Sequence, residues 1–158
     1  MNTRTLSGLA VTLALGAAVP ALADDKAVVE RFYATVLSQA SGPDLAGRAA
    51  AVLAPEWKTF GNNSRNSDRE HFVQNITGFG QAVPNLKWEI QDILRDGDRY
   101  VVRGRATGTP AKPFLGVEPA GKSFDIMSID IHTVKNGKIT VSYHIEDWAG
   151  AIRQLKAP

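Results

Sequence analysis

Apolar positions follow a helical period in the first half of the chain and an alternating one in the second. From Asp25 to Leu37, the residues Val28, Val29, Phe32, Val36 and Leu37 form a stripe with a polar back, which predicts an amphipathic helix. Ser41-Gly42-Pro43 stops it. Asp44 can cap a second, alanine-rich helix that ends near Leu53, and Pro55 follows as a breaker. Trp57 to Asn66 is rich in Asn, Gly and Ser and predicts loop. Ser67-Asp68-Arg69-Glu70 reads as a capping box, opening a helix that buries Phe72, Val73, Ile76 and Phe79 and ends at Gly80 and Pro84.

After Pro84 the period drops to two. Strands are predicted over Leu86–Leu94, Arg99–Gly108, Phe124–Val134 and Lys138–Ile145, with turns at Asp96-Gly97-Asp98 and Asn136-Gly137. Residues 111–122 form a Pro/Gly-rich connection. Asp147–Leu155 predicts a short closing helix with Trp148, Ile152 and Leu155 on one side. Helices followed by an antiparallel meander define an α+β class. A curved antiparallel sheet with helices across its concave side leaves room for a small ligand between the layers.

Three ionisable residues interrupt this pattern. Asp130 and His132 lie in an otherwise buried strand, and His144 lies on the next. Charge in a half-buried sheet is costly unless it is paired or used. An Asp–His pair in a water-poor pocket can serve acid–base chemistry, the carboxylate orienting the ring and stabilising its charged form. The same pair can simply fix strand register. Asp130, His132 and His144 also form a two-histidine, one-carboxylate set, but His132 is a step too far along its strand for convergence on one ion, and no metal is expected. Trp57, Phe60, Phe72, Trp88 and Phe114 could line an apolar pocket or serve as plain core, Phe114 having the better claim because its loop would cover the mouth. Arg103 and Arg105 read as a solvated strand face.

Composition narrows the function classes. Arg4, the apolar run Leu9–Ala18 and Ala21-Leu22-Ala23 have the form of a secretory leader cut after Ala23. The run is too short for a membrane span, so one domain over residues 24–158, periplasmic or secreted and without a membrane span, is expected. The chain has no cysteine, which excludes disulfides, thiolate metal sites and a cysteine nucleophile. The 18 basic and 16 acidic residues give a net charge of +2, scattered rather than clustered, so nucleic acid is not an expected partner. No cofactor motif occurs: there is no glycine-rich phosphate loop, Walker lysine or Gly-x-Ser-x-Gly elbow.

The segments Leu115-Gly116-Val117-Glu118-Pro119-Ala120-Gly121-Lys122, Asn136-Gly137-Lys138-Ile139, and Asp147-Trp148 through Arg153-Gln154-Leu155 occur in an order that resembles the SnoaL-like polyketide cyclase and ester cyclase family. The resemblance covers roughly Val28 to Leu155. It implies a cone-shaped barrel of the nuclear-transport-factor-like superfold, an internal pocket and a homodimer. Family cyclases close a ring on a polycyclic ester by intramolecular aldol chemistry, with an aspartate on the last strand and a histidine on the strand before. Those places fall on His144 and Asp130, with the residue types exchanged. Two supporting polar places fall on Thr59 and Ser128.

Register decides whether Asp130 and His144 share a face. A two-residue Asn136-Gly137 turn pairs Lys135 with Lys138 and sets Asp130 opposite Tyr143, away from His144. A three-residue turn with a glycine bulge pairs Val134 with Lys138, sets Asp130 opposite Ser142, and makes Asp130 and His144 diagonal neighbours. The family resemblance favours the bulged turn. Phe124, Ile126, Ser128, Asp130 and His132 then face Thr140, Ser142 and His144. Met127, Ile129, Ile131, Val141, Tyr143 and Ile145 form an apolar opposite face. Two functions remain open. One is a pocket for a small, largely apolar or polycyclic organic molecule, with His144 and Asp130 as catalytic pair and Trp57, Thr59, Phe72, Trp88, Phe114, Ser128 and His132 as ligand contacts. The other is a non-catalytic dimeric ligand-binding or partner-docking module.

Overall fold

The computed structural model describes residues 21–157. The expected leader lies outside the described residues except for Ala21-Leu22-Ala23, which open the first helix. Among these residues four α-helices, α1 (Ala21–Arg31), α2 (Leu45–Val52), α3 (Arg69–Ala82) and α4 (Trp148–Lys156), accompany six strands. The strands are β1 (Leu53–Phe60), β2 (Ser67–Asp68), β3 (Lys87–Asp96), β4 (Arg99–Gly108), β5 (Phe124–Lys135) and β6 (Lys138–Glu146). The stripe predicted as one helix runs through α1 into a π-helical segment, Phe32–Leu37, which presents Phe32, Tyr33, Val36 and Leu37 to the core. The wider π turn narrows the angle between successive side chains, and Phe32 and Tyr33 are both buried.

The strands form one sheet in the order β2-β1-β6-β5-β4-β3. The class is α+β as expected, but the cone-shaped barrel is not: β2 and β3 are open edges of the sheet. Nor is the sheet purely antiparallel, because β1 runs parallel to β6, pairing Thr59 with Ser142. The loop predicted over Trp57–Asn66 is the source of the error. Leu53, Ala54, Trp57 and Thr59 are buried in a strand that begins immediately after α2, with Pro55 near its start rather than in a break. The capping box also differs. Asp68, not Ser67, caps α3, its carboxylate accepting from the His71 amide at 3.0 Å, while Ser67 belongs to β2. Asp44 and Asp147 cap α2 and α4 in the same manner.

The β5–β6 hairpin settles the register by a route the sequence did not indicate. Asn136 and Gly137, both at positive φ (51° and 69°), form a two-residue turn between Lys135 and Lys138. The bulge lies inside β6: Val134 pairs with Ile139 and Thr133 with Val141, so Thr140 is the extra residue. Asp130 is thereby directly opposite His144, and His132 opposite Ser142. The two candidate residues share a face, as cross-strand partners rather than diagonal neighbours.

Candidate functional site

Alternation along β5 puts Phe124, Ile126, Ser128, Asp130, His132 and Val134 on the inner face. Along β6 the bulge brings Ser142, His144 and Glu146 to that same face. Above this strip, Phe32 and Leu37 of the π-helical segment, Trp57 and Thr59 of β1, Phe72, Ile76 and Phe79 of α3, Trp88 of β3, and Trp148 of α4 enclose a cavity of about 200 Å³. Ser67 and the exposed Asn75 mark its open side. Its walls are aromatic and its floor holds Asp130, His132, Ser142, His144 and Glu146.

His144 does not depend on Asp130 for its orientation. Its Nδ1 is 2.7 Å from Glu146 Oε1, and Trp148 Nε1 donates to the other Glu146 oxygen at 3.1 Å. This leaves His144 Nε2 without a protein hydrogen bond among the described residues. The ring lies against Gly61, where a Cβ would come within 3.3 Å of Nε2. Burial disfavours the charged ring, but the Glu146 hydrogen bond and charge, with Asp130 behind them, outweigh it and raise the His144 pKa above its usual value.

Asp130 is 5% exposed, and among the described residues the one cationic group that acts on it is His144. Burial pushes its pKa up to about 6, against the Tyr33 and Ser128 hydroxyls, which favour the carboxylate, and with the Glu146 charge, which does not. Ser128 donates to Oδ2 at 3.0 Å. A carboxylate has about four lone-pair sites, so these donors leave room for a substrate proton.

His132 has a different task. Trp57 Nε1 donates to Ser142 Oγ at 3.0 Å, and Ser142 Oγ is 2.8 Å from His132 Nδ1. An indole can only donate, so the serine proton is available to Nδ1, favouring the tautomer whose Nε2–H meets the Tyr33 hydroxyl at 3.3 Å. Burial, reinforced by the His144 charge, lowers the His132 pKa to about 3, so the ring is neutral at ordinary pH. It is a structural connector in a buried hydrogen-bond chain. Unfolded, it would bind a proton below about pH 6.5, so the folded state loses relative stability as pH falls from 6.5 toward 3. The His132→Gln variant is expected to show a shallower acid decline, by up to about 1.4 kcal/mol per pH unit, in urea unfolding at pH 6.5, 5.5 and 4.5. Parallel declines in the two proteins would refute this.

Of the expected site residues, the pair Asp130 and His144 and the ligand contacts Trp57, Thr59, Phe72, Trp88 and His132 line the cavity, and Phe114 and Ser128 do not. Phe114 is 4% exposed and packs on Phe79, Phe124 and Trp148 at centroid distances of 5.2, 5.8 and 5.9 Å, as core behind the wall rather than cover over the mouth. Ser128 lies behind Asp130. Phe60 stacks on Tyr143 at 5.1 Å, away from the cavity, and Arg105 pairs with Asp125 and Glu89 on the surface. Sequence reasoning missed Glu146, two residues from His144 and so on its face, because the strand was ended at Ile145. It also missed Tyr33, which the helical stripe had left on the polar side. No group of three His, Cys, Asp or Glu residues suited to a metal ion occurs among the described residues.

The chain belongs to the SnoaL-like polyketide cyclase family, whose model matches residues 27–155. Solved structures share the fold. A SnoaL-like protein from Jannaschia sp. CCS1 superposes with a TM-score of 0.76 at 19% identity, over 89% of this chain and 97% of its own. TsrD from Streptomyces laurentii gives 0.73 at 24% identity, over 87% and 98%. Wild-type IdmH from Streptomyces antibioticus gives 0.71 at 23% identity, over 83% and 97%. No protein of curated function matches the sequence.

Proposed function

We propose that this protein binds a small, largely apolar carbonyl compound in the cavity and moves a proton on it, as a cyclase or isomerase of the SnoaL-like type. The reading is carried by one arrangement: Asp130 and His144 are cross-strand neighbours on the floor of an aromatic cavity, with Glu146 fixing the imidazole from behind. Around neutral pH Asp130 is ionised and His144, its pKa raised, holds a proton at Nε2. Asp130 takes a proton from the carbon next to the carbonyl, the C–H electron pair shifts toward the carbonyl oxygen, and His144 Nε2–H stabilises the charge that develops there. Return of the proton to another carbon isomerises the compound; attack of the enolate carbon on a second carbonyl forms the ring bond, and the alkoxide that results takes the proton back from Asp130.

The test is exchange of α-hydrogens of cyclic ketones and β-keto esters for deuterium, followed by proton NMR. The rate should rise with pH through about 6 as Asp130 ionises, then fall at a pH above the ordinary histidine range as His144 loses its proton. Glu146→Gln removes the hydrogen-bonded charge that raises the His144 pKa and the nearby charge that raises the Asp130 pKa, so both limbs of the profile should move to lower pH. A wild type that exchanges no candidate, or a Glu146→Gln profile identical to it, refutes the mechanism.

Export and dimerisation belong to the same proposal. The leader-like first 23 residues support the former. The outer sheet face supports the latter, because Met127, Tyr143 and Ile145 are 56%, 50% and 69% exposed there. Native mass spectrometry of a periplasmic extract should find a dimer of chains that begin at Asp24; a monomer, or an uncleaved chain, argues against the respective half.

A further inference from the structure

The chemistry of the occupant can be narrowed if the cavity is the ligand site, as proposed above. Among the described residues no lysine or arginine lines it, whereas Asp130 and Glu146 do. The single cationic group available, His144, is already hydrogen-bonded to Glu146. A carboxylate or phosphate would therefore be buried beside two like charges with no free cation to answer it. An ammonium would meet Asp130, but it has no lone pair to accept from the free His144 Nε2–H and would leave that donor facing a like charge across the strand pair, whereas a carbonyl oxygen accepts from it.

Size sets a second limit. An apolar protein cavity of about 150 Å³ admits a benzene ring. The cavity here measures about 200 Å³, so the part of a ligand that it surrounds has on the order of ten non-hydrogen atoms. That fits one ring or two fused rings. A four-ring skeleton would have to leave about half of its frame outside the aromatic walls, past Asn75.

We propose that the occupant is a neutral carbonyl compound of one or two fused rings, its oxygen accepting from His144 and its acidic C–H directed at Asp130. The aromatic walls supply the burial of the ring face, and the polar floor recognises a single acceptor.

Isothermal titration of the purified protein at pH 7 with four probes tests this. They are 2-tetralone, 2-naphthoate, protonated 2-aminotetralin and tetracene-5,12-dione. The expected result is that 2-tetralone binds at least 10-fold more tightly than each of the others. Comparable binding of the naphthoate or the aminotetralin overturns neutrality, and comparable binding of the four-ring dione overturns the size limit; in either case the proton-transfer reading stands. Tight 2-tetralone binding without exchange of its α-hydrogens upholds the ligand class and removes the proton transfer. If none of the four binds, both fall.

Discussion

The Asp130→Asn variant is expected to lose activity and gain stability at the same time. On the activity side, removal of a positioned general base costs about 10²–10⁴-fold in rate. On the stability side, the sign follows from the raised pKa. A carboxyl held at about 6 when folded and near 3.8 when unfolded binds its proton more tightly in the native state. Stability therefore falls as pH rises from about 4 to 6 and stays low above that. The full cost of keeping this group ionised and buried is about 3 kcal/mol at pH 8. An amide keeps the acceptor for Ser128 but adds an N–H₂ that lacks an assigned acceptor, which offsets part of the gain. We expect a net stabilisation of about 1–2 kcal/mol at pH 8 that disappears below pH 4, measured by urea unfolding at both pH values. A variant less stable than the wild type at pH 8 would mean that Asp130 is an essential structural contact rather than a strained functional one.

Gly80→Ala should be the most damaging single methyl group in the helical layer. Gly80 in α3 lies against the backbone of the segment before α2, where a Cβ would stand 2.5 Å from the Ser41 nitrogen and 2.6 Å from the Ala40 carbonyl carbon. Main-chain atoms cannot rotate out of the way as a side chain can, so α3 must shift. Overpacking of this kind costs about 3 kcal/mol. Because α3 carries Phe72, Ile76 and Phe79, the shift also opens one wall of the cavity. Gly78→Ala is the matched control: nothing lies within 4 Å of its added Cβ, and alanine is the better helix former. Equal stability of the two variants would show that the contact between α3 and Ala40–Ser41 can relax.

Most of the secondary structure was legible because periodicity and turn chemistry agreed. Arg99–Gly108 emerges with the predicted bounds, and the Asp130–His144 pairing on one face follows from a real bulge. The position of that bulge was not legible. Ile139, Val141, Tyr143 and Ile145 look like one apolar face, yet Ile139 is fully buried on the inner side while Tyr143 and Ile145 are exposed on the outer. An extra residue at Thr140 leaves no mark in composition, since β-branched threonine suits a regular strand as well. The strand at β1 was hidden for a similar reason. Its length follows from pairing with a partner at the far end of the chain, and Pro55, Asn62 and Asn63 dominated the local signal. In the site, Asp130 and His144 stood out as charges in an apolar strand, whereas Glu146 at a strand end looked like an ordinary surface carboxylate. Its role depends on Trp148, whose indole takes the second oxygen, and that contact exists only once α4 folds back on the sheet.

The parallel pairing of β1 with β6 also has a consequence for folding. Thr59 meets Ser142 only when nearly the whole polypeptide has been made, and high contact order of this kind slows the search for the native state. The polar floor thus cannot be completed until β6, in the C-terminal quarter, is available. For a chain that we propose passes unfolded through a secretion channel, slow closure of this pairing would keep the polypeptide threadable for longer.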